Sequence, residues 1–182
     1  MSAVTLRSRT SRREARVVAL SAGSMLLGAA ALLAVTEQLT GLDVFALPFV
    51  ATAAVLAMAP RAPLARPAAV LISYGSCTPI AVAITAAAGP SVWTATAAAV
   101  SSVVAMLLLE APHAPAAVCA AFIGLTGTSP GYPLHTVLPA VSIVLGTALV
   151  SGRLLPRYDY RPSWRGCGHR SAVRARSTAA RS

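Results

Sequence analysis

Four windows of this chain, residues 17–36, 68–88, 92–109 and 134–152, contain no Asp, Glu, Lys or Arg. Each approaches the ~20 residues that a helix needs to cross the hydrocarbon core of a bilayer. An aqueous fold could not hide so much uncharged length in 182 residues, 56% of them hydrophobic and 11% charged. Lipid is the expected solvent. The windows are rich in Ala, Gly, Ser and Thr rather than Leu and Phe, a composition that lets helix backbones approach closely.

Between the windows lie two shorter apolar stretches, residues 44–59 and 114–128. They are bounded by Pro48, Pro60, Pro63 and Pro67 in one case and by Pro112, Pro115, Pro130 and Pro133 in the other. Prolines at those places prevent smooth helical continuation into the neighbours. Each stretch is therefore expected to form a half-length or barely spanning helix. Irregular backbone at membrane depth is tolerated only where protein buries it or a polar cavity hydrates it, so two such segments point to an interior site rather than a simple anchor.

The charges fix an orientation. Arg7, Arg9, Arg12, Arg13 and Arg16 precede the first window, Arg61 and Arg66 follow the first short stretch, and Arg153, Arg157, Arg161 and Arg165 open the C-terminal tail. Glu37 and Asp43 occupy the first loop. If both short stretches cross, every arginine cluster is cytoplasmic and the acidic loop is outside, as the positive-inside rule prefers. If they are re-entrant, four spans remain and Arg61 with Arg66 falls outside. The expected fold is all-α: four long transmembrane helices plus two short proline-started segments. Its layout of long helix, short helix, proline-rich connection and long helix with an internal proline (Pro79, Pro139) occurs twice, as in two inverted halves. Residues 1–16 form a basic cytoplasmic tail, 17–152 the transmembrane domain, and 153–182 a basic, disordered cytoplasmic tail drawn to anionic lipid head groups. The expected location is the cytoplasmic membrane.

Interrupted apolar segments at matching places of two halves point to a transport site near the midplane. His113 leads the candidates, because an imidazole beside a broken helix can offer a donor or an acceptor to a permeating ion. A cap on the preceding helix end is the equally weighted alternative. Glu110 would share a helical face with His113 if the helix continued through Pro112. The starts of the two short helices, Pro48, Phe49 and Thr52 in one and Pro115 and Ala116 in the other, direct unsatisfied N–H groups and a positive dipole end at whatever faces them. Such ends suit a small anion or a neutral solute better than a metal cation. For Thr52, a hydroxyl bonded back to its own helix is the commoner outcome. Ser73, Tyr74, Ser76, Cys77 and Thr78, just before Pro79, read first as packing groups, and His135 as interfacial.

The remaining features exclude more than they assign. Cys77, Cys119 and Cys167 have no disulfide or zinc spacing. No phosphate loop, dinucleotide fingerprint, serine elbow or metal-binding helix motif occurs, so no enzyme activity and no cofactor are expected. The arginine tails lack a nucleic-acid recognition fold.

The run His113-Ala114-Pro115-Ala116-Ala117 resembles the His-Pro-Pro signature of the HPP integral membrane proteins. Pro48-Phe49-Val50-Ala51-Thr52-Ala53 is similar to that family's Pro-Phe-Gly-Ala-Ser run, and residues 60–67 to its Pro-x-x-Pro-Leu-Ala-x-Pro connection. Ala114 replaces the middle proline, and Val50 and Ala117 stand where relatives tend to have glycine. The resemblance covers roughly residues 20–152 and implies a small membrane protein with four long helices, some relatives being linked to nitrite uptake. A transporter or channel for a small solute, a small anion such as nitrite by resemblance alone, is the leading expectation. A membrane structural or interaction protein is the alternative, and a homo-oligomer fits either.

Overall fold

Proline placement decides where the helices start. In the computed structural model, which describes residues 2–155 and 158–160, six α-helices follow in order: α1 (Ser2–Thr40), α2 (Leu47–Met58), α3 (Pro67–Ala88), α4 (Val92–Leu108), α5 (Ala114–Thr126) and α6 (Leu138–Leu154). Four of them, α2, α3, α5 and α6, carry proline in their first two positions, where its missing N–H costs nothing and its fixed φ is already helical. A 3₁₀ turn, Pro63–Ala65, leads into α3 and a π turn, Pro133–Val137, into α6. The helix α4 starts differently: Ser91 Oγ accepts from the Thr94 backbone N–H at 3.1 Å, the usual N-cap arrangement. Gly89 and Gly127, with φ of 74° and 68°, end α3 and α5.

Three helical stretches are long and apolar enough to cross a membrane: Glu14–Thr40, Pro67–Ala88 and Pro133–Leu154. The window at 92–109, expected as a fourth long span, forms the 17-residue α4, about 25 Å at 1.5 Å per residue. It stops because Glu110 takes a left-handed φ of 51° and Pro112 follows. The 12 residues of α2 and the 13 of α5 come to about 18 and 20 Å, short of the ~30 Å core. No strand occurs among the described residues.

Pro79 lies inside α3, and Pro139, at the start of α6, lies inside the longer helical stretch Pro133–Leu154 that the π turn begins. The helix α1 begins at Ser2, so residues 2–16 of the basic tail are helical, and α6 runs to Leu154. Beyond it Tyr158 and Tyr160 are buried. The rest of the C-terminal tail, Cys167 included, lies outside the described residues.

The chain divides into two compact units, and they are not its two halves. Among the described residues, the first joins those up to 62 with those from 134 to 160; the second is Pro63–Pro133. In the first unit α1 packs on α2 and on α6, and α2 packs on α6. Met25, Ala29, Leu33, Phe49, Leu56, Val144 and Ala148 are fully buried. The Phe45 N–H donates to Glu37 Oε2 at 2.7 Å and fixes the α1–α2 connection. Tyr158 Oη donates to the Leu56 carbonyl at 3.0 Å, and Arg61 pairs with Asp159 at 2.9 Å. In the second unit α4 packs on α5 and α3, and α3 packs on α5. There Gly124 lets α5 touch α4, because a Cβ on it would stand 2.6 Å from Ala95 Cα.

Candidate functional site

The second unit holds the buried polar groups of greatest chemical interest. His113 is the N-cap of α5, with φ −146° and ψ 90°, and is fully buried. Its side chain does not cap that helix. Nδ1 lies 2.8 Å from the Leu64 carbonyl oxygen in the 3₁₀ turn. A carbonyl only accepts, so Nδ1 carries the hydrogen and in the neutral ring Nε2 keeps the lone pair. Tyr74 of α3 lies beside the imidazole, ring centres 5.8 Å apart and tilted by 52°. The His113 backbone N–H donates to Met106 Sδ of α4 at 3.4 Å. Ser73 Oγ, one helical position before Tyr74, donates to the Ala111 carbonyl. The irregular stretch 109–113 is thus tied to α3, to α4 and to the 3₁₀ turn at once.

Other groups extend this polar face. Cys77 Sγ lies 3.7 Å from the Ser102 carbonyl, and Cys119 is a second buried thiol. Ser102 Oγ is buried and has no hydrogen-bond partner among the described residues, a costly condition for a hydroxyl away from water. Around Pro79, whose missing N–H frees a carbonyl, the hydroxyls turn back on their own helix. Thr78 Oγ1 donates to the Tyr74 carbonyl at 2.8 Å and Ser76 Oγ to that of Ile72 at 2.8 Å.

The residues singled out in the sequence separate between the units. Glu110, His113, Pro115 and Ala116 belong to the second; Pro48, Phe49 and Thr52 belong to the first. Glu110 is exposed while His113 is buried, so they form no pair. Pro115 and Ala116 are buried at the start of α5, as Pro48 and Phe49 are at the start of α2. Thr52 Oγ1 donates to the Pro48 carbonyl at 3.0 Å, the helix-internal bond expected of it. His135 is exposed in the π turn. No group of three or more metal-ligating side chains occurs among the described residues.

Sequence reasoning missed the partner of His113, because the Leu64 carbonyl is a backbone atom 49 residues away. It also missed a cleft in the first unit. This opening, about 560 Å³, is lined by Glu14, Val18, Met58, Pro60, Arg61 and Asp159. The phenols of Tyr158 and Tyr160, in the segment that supplies Asp159, are pushed above their ordinary range by burial.

The family model described as the HPP transmembrane region matches residues 10–161, which takes in α2 to α6 and all but the first turns of α1. The chain belongs to the HPP family. No curated protein and no solved structure matches it. As an HPP membrane protein its apolar helices sit in a lipid bilayer, and the signature position His113-Ala114-Pro115 is the fully buried start of α5.

Proposed function

We propose that this HPP protein carries a small solute across the cytoplasmic membrane, as a transporter or channel, with a small anion such as nitrite as the favoured substrate class. One observation carries the reading: a fully buried histidine stands at the broken start of a half-length helix, held by a connecting-loop carbonyl. Intramembrane ionisable residues are rare and costly, and they mark solute and proton pathways. Helices interrupted in the membrane expose N–H groups and a positive dipole end, which favour an anion. The absence of Lys and Arg from α2 to α5, Arg61 and Arg66 in the connection aside, leaves those helix ends as the attractive groups.

The orientation with both termini cytoplasmic, attraction of the basic tails to anionic lipid, and a homo-oligomeric assembly all belong to this reading. So does the absence of enzyme activity. A second reading, a membrane structural or interaction protein, draws on the hydroxyls of Ser76 and Thr78, which are spent on their own helix. Flux decides between them. Liposomes containing the purified protein are expected to take up nitrite, nitrate or chloride faster than empty liposomes between pH 5 and 8, and the His113→Ala protein at least tenfold more slowly than the parent. Equal uptake with and without protein for all three anions contradicts the reading.

A further inference from the structure

The buried positions of the two units follow one pattern along the chain. Shifting by 67 residues carries Pro48, Phe49, Thr52, Ala53, Leu56 and Ala57, the buried face of α2, onto Pro115, Ala116, Cys119, Ala120, Ile123 and Gly124, the whole buried face of α5. Any two amphipathic helices can be brought into phase, because both repeat every 3.6 residues. The same shift, however, also carries buried Val44 and Ala46, before α2, onto buried Ala111 and His113, before α5. It carries Ala65 of the proline connection onto Tyr132, both buried. Then it carries Ala69, Val70, Ser73, Tyr74, Cys77, Thr78 and Ala81 of α3 onto Thr136, Val137, Ala140, Val141, Val144, Leu145 and Ala148. A chance phase match would be lost at each irregular connection, and this one survives two. In α1, Ser21, Met25, Ala29 and Leu33 correspond to Thr94, Ala98, Ser102 and Met106 of α4. There the shift is 73, because the stretch from Leu33 to Ala46 is six residues longer than the matching stretch from Met106 to His113.

The packing follows the same correspondence. With α1, α2 and α3 matched to α4, α5 and α6, the three helix pairs of the first unit (α1 with α2, α1 with α6, α2 with α6) become the three of the second (α4 with α5, α4 with α3, α5 with α3). Each unit therefore has two helices from its own half and the third helix of the other. The buried residues differ mainly in polarity, although Thr136 of the first unit stands opposite Ala69 of the second and Thr52 opposite Cys119. Where the second unit has Ser73, Tyr74, Cys77, Ser102 and His113, the first has Ala140, Val141, Val144, Ala29 and Ala46. The first unit buries the same positions without those polar groups.

We infer that the chain is two copies of one three-helix module that exchange their third helices, and that the second unit is the working copy, since the first unit packs the matching positions without that set of polar residues. The assignment of the working copy rests on the transport reading; the duplication does not. Correspondence supplies an untried contact. A Cβ on Gly28 of α1 would lie 3.7 Å from Thr147 Cγ2 of α6, and the matching pair is Ser101 of α4 with Ile80 of α3. The module also supplies a cysteine-free background, C77V and C119T from its own counterparts, with C167S.

In that background, G28C/T147C is expected to form a disulfide in native membranes under a mild oxidant, given the close approach of Gly28 to the Thr147 side chain, and I80C/S101C is expected to do the same because the correspondence assigns it the equivalent contact. Failure of either pair overturns the duplication. The triple variant S73A/S102A/H113A, which installs the first unit's residues, is expected to remain monodisperse in detergent, to retain the I80C/S101C bridge and to lose anion flux at least tenfold. Aggregation, loss of the bridge or undiminished flux overturns the working-copy assignment. No flux from the parent removes that assignment together with the transport reading, while the bridges still report on the duplication.

Discussion

His113 holds two pieces of irregular backbone together, and its removal should be felt in both stability and flux. The bond from its Nδ1 to the Leu64 carbonyl is buried, so His113→Ala leaves an acceptor unsatisfied and should cost about 1–3 kcal/mol, read as a lower thermal midpoint in detergent. Ser102→Ala should act oppositely. Its hydroxyl has no partner among the described residues, the matching position in the first unit is Ala29, and removing the group should be neutral or stabilising by about 1 kcal/mol. At Gly124 there is no such latitude. A methyl group would meet the Ala95 backbone at 2.6 Å, and because backbone cannot rotate aside, Gly124→Ala should destabilise by about 1–3 kcal/mol. Arg61 is different again: its side chain is 77% exposed, so Arg61→Ala should change the midpoint by less than about 1 kcal/mol despite the ion pair with Asp159. Among these residues, the sequence marks His113 by its place beside prolines. It does not reveal the histidine's partner, since nothing local in a chain encodes which distant carbonyl a side chain will meet.

At the scale of elements, prolines made the helix starts legible and uncharged length made the membrane legible. Pro48, Pro67 and Pro115 each open a helix within its first two positions. The end of α4 was legible as well, since the uncharged window stops at Leu109 and the helix at Leu108; the left-handed Glu110 that follows is what its residue type does not advertise. Just after α6 the arginines suggest a solvated run, and within it Tyr158 and Tyr160 are buried and stacked, ring centres 6.4 Å apart. This segment carries a pH prediction. Burial raises both phenols, so the folded state holds their protons more tightly than the unfolded state does. That contribution is complete below the ordinary phenol value near ~10 and is lost as pH rises beyond it. The thermal midpoint should fall above pH ~10, and the Y158F/Y160F protein should show a shallower fall over the same range. An identical fall in both proteins would remove the tyrosines as its cause.

For the whole molecule, the sequence suggested two matching halves, and the units turn out to combine helices from both. Helix layout is visible in apolar length and proline spacing, but which helix packs on which depends on side chains meeting across long separations. The proposed repeat also re-registers the prolines: Pro79 of α3 corresponds to Gly146 of α6, and Pro139 to Ile72, so the apparent match of two internal prolines was coincidental. What remains legible is the polar centre, because its members interrupt otherwise apolar windows. If that centre handles solute, it must open to water during turnover although His113 is fully buried in this conformation. The direct measurement is labelling of the His113→Cys variant, in the cysteine-free background and in liposomes, by a membrane-impermeant thiol reagent, with Ser129→Cys in the exposed α5–α6 connection as the reactive reference. The account predicts slow but complete labelling at position 113 that the transported anion retards. No labelling at 113 on either side of the membrane, alongside full labelling at 129, would contradict it and leave His113 a structural tie.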